Sequence, residues 1–225
     1  MRAQISVVVP TLDAEPGLAA CFHALIEGLE AGLIREVIVC DGGSSDATGL
    51  VAQEWGAHVV HAAPSRGGQL RRGVAAARGD WLMILHSDTV LQSGWSTSVR
   101  AHLAEPARAG WFCLSFDQRG VASSLVAGWA NLRSRAGLPY GDQGLLIHRD
   151  LYMTVGGYPD QPLMEDVALA RRLRGRLRRL DAVAVTSAAK YRRQGWLRRG
   201  ARNLWTLLRY ALGTSPEYLA QVYRR

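Results

Sequence analysis

The sequence predicts an α/β protein built on a mostly parallel sheet, and three observations carry that prediction. Over residues 1–90, short apolar runs of strand character alternate with segments of helical period, the pattern of successive β-α-β units. Each run ends in a polar or glycine-rich loop, which is where open α/β sheets bind ligands. The 225 residues are 48% apolar, enough to bury a core, so one compact domain with appendages is expected.

Residues 5–10, 36–40, 58–61 and 81–85 read as the first four strands, with helices expected near 18–31, 47–55 and 68–78. Beyond residue 90 the order is looser. The pattern predicts a helix over 93–103, a strand over 111–116, a helix over 123–135, a strand over 145–148, a helix over 165–174 and a strand over 179–185. Gly156-Gly157-Tyr158-Pro159 marks a turn between elements. Residues 196–210 and 218–223 read as two helices broken at Gly213, the second with Ser215 as N-cap and Pro216 in its first turn. The expected division is a domain over 1–190 and a basic helical extension over 191–225.

The net charge of +8 is unevenly spread. Residues 171–225 hold 15 Lys and Arg against 2 Asp and Glu, a net +13, leaving −5 for the residues before them. Such a block attracts anionic surfaces through long-range fields. Within it, Trp196, Leu197, Leu204, Trp205, Leu207, Leu208 and Leu212 lie among Arg198, Arg199, Arg202 and Arg209, the composition of an interfacial membrane helix. An apolar face docked on the protein's own core fits that composition equally well. No apolar run approaches the roughly 20 residues of a membrane span, and no leader-like segment precedes the first strand, so a cytoplasmic protein is expected, at most at the inner face of the membrane. Cys21, Cys40 and Cys113 show no metal or disulfide spacing and read as structural thiols.

The chemistry-bearing residues fall at the predicted strand ends. Pro10-Thr11-Leu12-Asp13 follows the first strand and Asp41-Gly42-Gly43-Ser44-Ser45-Asp46 the second. Glycines let a ligand approach the backbone, Asp41 is suited to accept hydrogen bonds from a base or ribose, and Asp46 is suited to cap the next helix. His86-Ser87-Asp88-Thr89 follows the fourth strand and sets His86 and Asp88 on one side of an extended segment, a spacing that can hold a divalent ion against phosphates. Glu165 and Asp166 open a helix, where acidic groups are favoured electrostatically; either is a candidate general base. Tyr140, Asp142 and Gln143, in a turn-rich stretch, are candidates for acceptor or sugar contacts.

In this order and spacing, these motifs together with Arg66-Gly67-Gly68-Gln69-Leu70 and Gly79-Asp80-Trp81 resemble the family 2 glycosyltransferases, over nearly the whole chain. The resemblance implies a GT-A fold and inverting, metal-assisted transfer from a nucleotide-sugar donor, a UDP-sugar first of all, to a small-molecule or lipid-linked acceptor. It assigns Pro10, Thr11, Asp13, Asp41, Gly42, Arg66 and Ser87 to the nucleotide, Asp88 with His86 to Mn²⁺ or Mg²⁺, and Asp166 beside Glu165 to catalysis. Two departures stand out: Asp13-Ala14 replaces the usual Asn-Glu, and His86 replaces the first Asp of the DxD motif. His86-Ser87-Asp88-Thr89, Gly141-Asp142-Gln143-Gly144 and Gly213-Thr214-Ser215-Pro216-Glu217 further resemble the branch of radical-SAM and selenium-domain-associated transferases linked to arsenosugar synthesis. A nucleotidyltransferase is the enzymatic rival, but a glycine- and arginine-rich phosphate loop is missing after the first strand. A non-catalytic nucleotide- or membrane-binding module is the other rival and leaves the strand-end carboxylates unexplained. No nucleic-acid partner is expected.

Overall fold

The computed structural model describes residues 3–61 and 63–224. Strands β1 (Ile5–Thr11), β2 (Ile34–Asp41), β3 (His58–His61) and β4 (Trp81–Ile84) alternate with helices α1 (Glu15–Glu30), α2 (Thr48–Glu54) and α3 (Arg66–Ala76). After them come β5 (Thr89–Leu91), α4 (Trp95–His102), β6 (Ala109–Phe116), α5 (Val121–Arg135), β7 (Leu145–His148), α6 (Arg149–Thr154), α7 (Glu165–Arg172) and β8 (Leu177–Thr186). The chain closes with α8 (Ala189–Gln194), α9 (Trp196–Ala211) and α10 (Pro216–Arg224).

All eight strands form one sheet in the order β3-β2-β1-β4-β7-β6-β8-β5. The half containing β3, β2, β1 and β4 is parallel, as expected for β-α-β units; β4 with β7, β7 with β6, and β8 with β5 are antiparallel, while β6 and β8 run parallel. The interior positions of β1 and β4 are almost wholly buried, which explains their near-continuous apolar sequences. One face packs on α1 through Val7, Val9, Leu18, Phe22 and Leu25, and the other on α3 and α7 through Val8, Ile38, Leu70, Val74 and Leu169.

The chain steps outward from β1 to β2 to β3 and returns with β4 on the other side of β1. That reversal opens a crevice at the carboxyl ends of β1 and β4, where α/β sheets collect ligands. Two short helices, α6 and α8, and the three-residue β5 were not predicted from the sequence. Cys21 and Cys40 are buried, with thiols pushed up to about 12 by burial, reinforced at Cys21 by Asp88, and so inert as nucleophiles at neutral pH.

Candidate active site

The first two strand ends are locked together before any ligand arrives. Gln69, buried on α3, donates both amide hydrogens, to the carbonyls of Thr11 and Cys40, each at 2.7 Å. Gly42 N donates to the Thr11 carbonyl. Asp41 accepts from the backbone of Gly43 and Ser44 and from the hydroxyls of Ser44 and Thr11. These bonds outweigh its burial and hold its carboxyl below the usual range. Asp13 accepts from Ser45 N and Ser45 Oγ, and its own N–H donates to Ser44 Oγ. Asp46 accepts from Thr48 N at the start of α2 and from Glu15 N, so it serves the helix start from one position ahead of the capping residue, Ala47.

Two clefts meet beside this scaffold. One, of about 1040 Å³ including space open to solvent, is lined by Pro10, Thr11, Leu12, Arg66, Gln69, His86, Ser87, Asp88, Lys190, Ala220 and Tyr223, among others. The other, of about 810 Å³ on the same measure, shares Arg66, His86, Asp88, Lys190 and Tyr223 and adds Tyr140, Asp142, Asp166, Tyr191, Arg199 and Asn203. Asp88 and His86 thus sit at the junction, with Arg66 and Lys190 as cations common to both sides. Arg66 begins α3, whose N-terminus is capped by Ser65 and offers a positive dipole end to an anion.

Lys190 escaped the sequence reading, which absorbed it into the basic tail. It is the chain's only lysine among 27 basic residues, and that singularity was the available signal. Lys190 is exposed at the cleft wall, where partial desolvation by the surrounding atoms lowers its ammonium from its ordinary value and Asp88 opposes the shift. From α10, Tyr223 also reaches both clefts; its hydroxyl donates to Asn203 Oδ1 and accepts from Arg199. Helices α9 and α10 therefore border the two clefts.

The structure separates the two acidic residues opening α7. Met164 takes a left-handed conformation (φ 62°) just before the helix, uncommon for a side chain of that size, and turns Asp166 into the second cleft. Asp166 Oδ2 accepts from Gly141 N at 2.8 Å and Oδ1 from Val167 N at 2.7 Å, fixing the carboxylate while leaving each oxygen a further lone pair. Glu165 instead lies 1% exposed and away from either cleft, so the structure does not support its direct part in catalysis. Burial and then Asp166 push its carboxyl up to about 7, against the pull of Arg66.

A raised folded-state value favours the fold while Glu165 is protonated. That contribution is complete below its ordinary value of 4.5 and is lost as pH climbs through about 7. Glu165→Gln is therefore expected to flatten the pH dependence of stability over this window, recovering on the order of 2 kcal/mol at pH 8 relative to pH 5. Urea denaturation of both proteins at the two pH values checks this.

The acceptor candidates also divide. Tyr140 and Asp142 line the second cleft. The Arg133 guanidinium lies 3.2 Å from the Tyr140 ring centroid. Burial pushes the Asp142 carboxyl up to about 6; Arg133 opposes the shift, Asp166 and Asp88 add to it, and Asp142 Oδ1 has no partner. Gln143 is wholly buried and bonded to Ser134, Arg133, Asn131 and the Phe112 carbonyl, so it fixes the turn to α5 and β6 rather than meeting an acceptor. Asp13, Asp41 and Gly42 likewise stay off the cleft walls and organise the loops behind Pro10 and Thr11.

A divalent ion fits the junction in one way. Among the described residues no cluster of three His, Cys, Asp or Glu side chains forms a metal cage. Burial, then Arg66, lowers His86 to about 4, so its imidazole is neutral at pH 7 and keeps a lone pair for a metal. One carboxylate and one imidazole, completed by substrate phosphates and water, suit Mn²⁺ and, less well, Mg²⁺.

The model of the family described as Glycosyl transferase family 2 matches residues 6–130, more than half of the chain. Glucosyl-3-phosphoglycerate synthase of Mycolicibacterium paratuberculosis is 38% identical over 95 residues, covering 38% of this chain and 29% of the relative. Its Mycobacterium tuberculosis counterpart is 36% identical over the same length. The chain thus spans under a third of those relatives. Among solved structures, mannosyltransferase PcManGT from Pyrobaculum calidifontis, in complex with GDP-Man and Mn²⁺, superposes with a TM-score of 0.67 at 21% identity, over 96% of this chain and 67% of that one. Glucosyl-3-phosphoglycerate synthase from M. tuberculosis, in complex with Mn²⁺, UDP and glucosyl-3-phosphoglycerate, gives 0.58 at 22% identity, over 82% and 70%. These likenesses show the GT-A fold, and with the family match over residues 6–130 they mean that the chain belongs to glycosyl transferase family 2.

Proposed function

We propose that this protein transfers a glycosyl group from a UDP-sugar to an acceptor by an inverting displacement. The observation that carries the reading is the pair of clefts joined at Arg66, His86, Asp88 and Lys190, one bordered by Pro10 and Thr11 and the other by Asp166. In this reading the nucleoside lies along Pro10, Thr11 and Ser87, and the diphosphate reaches the junction. UDP with Mn²⁺ in one structural relative, and UDP-glucose with Mn²⁺ in another complex of it, support the donor and the ion. GDP-Man in a second relative keeps a guanine donor within the family's range.

Asp88 and His86 would hold the ion, which supplies Lewis-acid neutralisation of the departing diphosphate when bound. Arg66 and Lys190 add fixed positive charge on either side of it. Asp166, held by Gly141 N and Val167 N, takes the proton from the acceptor hydroxyl as that oxygen attacks the anomeric carbon. Tyr140 and Asp142 orient the sugar or acceptor. The motifs at His86–Thr89 and Gly213–Glu217 support a place in the arsenosugar-linked branch, and residues 191–225 serve as an extension that completes the site of the 1–190 domain.

Asp88→Ala is expected to weaken Mn²⁺-dependent UDP binding at least about tenfold, as loss of a charged ligand does; calorimetry with and without Mn²⁺ reads this directly. Product analysis tests the reaction itself. UDP released from UDP-glucose in the presence of phosphorylated small acceptors, with a β-linked product by NMR, supports inverting transfer. An α-linked product removes Asp166 from the role of base.

A further inference from the structure

Helix α5 presents Val121, Leu125, Trp129 and Leu132 on one face, with 54–79% of each side chain's residue exposed. Their spacing is a clean apolar stripe, yet it points away from the core. Helix α9 does the same with Leu197, Leu204, Trp205, Leu208 and Leu212, 47–88% exposed. The two helices pack side by side, and Trp129 and Leu204 line one cleft between them, so the stripes form a continuous apolar surface. Monomeric proteins seldom leave such a surface uncovered.

Charge decides what covers it. Neither α5, α8 nor α9 contains an acidic residue. By helical geometry Arg198 flanks the α9 face, and exposed Arg119, Arg135, Arg192 and Arg193 lie in or beside the same elements, against exposed Asp117 before α5 and Glu217 on α10. Arg202 and Arg209, on the same margin of α9, are held by α10, Arg202 on the Val222 and Tyr223 carbonyls and Arg209 over the Tyr218 ring. A second copy docked on this face would bring like charge against like charge across a self-complementary interface. An anionic bilayer instead accepts the apolar side chains into its headgroup boundary while arginines meet the lipid phosphates.

We infer that the α5–α9 face seats the protein on an anionic membrane surface and that its acceptor is an amphiphile drawn from that surface. The cleft between α5 and α9 supplies the route. It is lined by Leu114, Val126, Trp129, Leu204 and Leu207, and it shares Tyr140, Asp142, Tyr191 and Asn203 with the cleft that holds Asp166. An acceptor with an apolar tail along α5 and α9 therefore carries its polar head to Asp166. This acceptor assignment rests on the transferase reading above; the membrane seat does not.

Flotation of the full chain with phosphatidylcholine vesicles, with and without phosphatidylglycerol, at low and high salt, tests the seat. Binding is expected only with phosphatidylglycerol, and Leu125→Glu with Leu208→Glu should lower it at least about tenfold. Both leucines are exposed, so the fold tolerates the change, and unchanged UDP affinity by calorimetry verifies it. Absence of vesicle binding, or binding that the leucine variant leaves intact, overturns the seat. So does self-association of the wild type in sedimentation velocity that the same variant abolishes, which assigns the face to a second copy. Loss of UDP binding in the wild type would instead strike the transferase reading and leave the seat standing.

Discussion

Replacing Asp166 with Asn is expected to lower turnover by at least about 10²-fold while leaving UDP affinity unchanged, the usual cost of removing a general base. Asparagine keeps the shape, and one oxygen remains to accept from Gly141 N or Val167 N. What is lost is a proton acceptor in the cleft lined by Tyr140 and Asp142. Because Asp166 is absent from the walls of the cleft beside Pro10 and Thr11, nucleotide binding should not register the change. A loss in turnover matched by an equal loss in UDP affinity would mean that Asp166 supports the donor rather than the acceptor.

Lys190→Ala is expected to weaken UDP binding by about 10- to 100-fold, because a charge-assisted contact to a desolvated phosphate contributes about 1.5–3 kcal/mol. Lys190→Arg separates charge from shape. The larger planar guanidinium restores the charge but not the compact ammonium on the wall shared by the two clefts. Partial recovery by Arg is therefore the expected pattern, measured by the same calorimetry. Equal affinity in all three proteins would place the diphosphate away from the junction of the two clefts.

The sequence made the parallel half of the sheet legible because β1 and β4 are buried on both faces, and burial writes itself as continuous apolar runs. It hid β5, whose three residues follow directly on the His86-Ser87-Asp88 motif, and α6 and α8, six residues each, too short for a helical period to stand out. Motif order singled out Pro10, Thr11, Arg66, Asp88 and Asp166, which line one or both of the two clefts. Roles set by distant partners were not readable. Gln143 looks like a loop residue until Ser134 and Asn131 of α5 close around it, and Asp41 looks unengaged until Gly43, Ser44 and Thr11 occupy its oxygens. The Glu165-Asp166 pair could not be divided from sequence, since the division depends on the left-handed turn at Met164. Lys190 was visible only as composition.

Calorimetric titration of the protein with UDP, in Mn²⁺ and again in chelator, tests the central claim most directly. The account predicts saturable UDP binding that Mn²⁺ strengthens, since Asp88 and His86 can complete an ion's ligand set only with the help of a diphosphate. Failure of UDP to bind in either condition would contradict it.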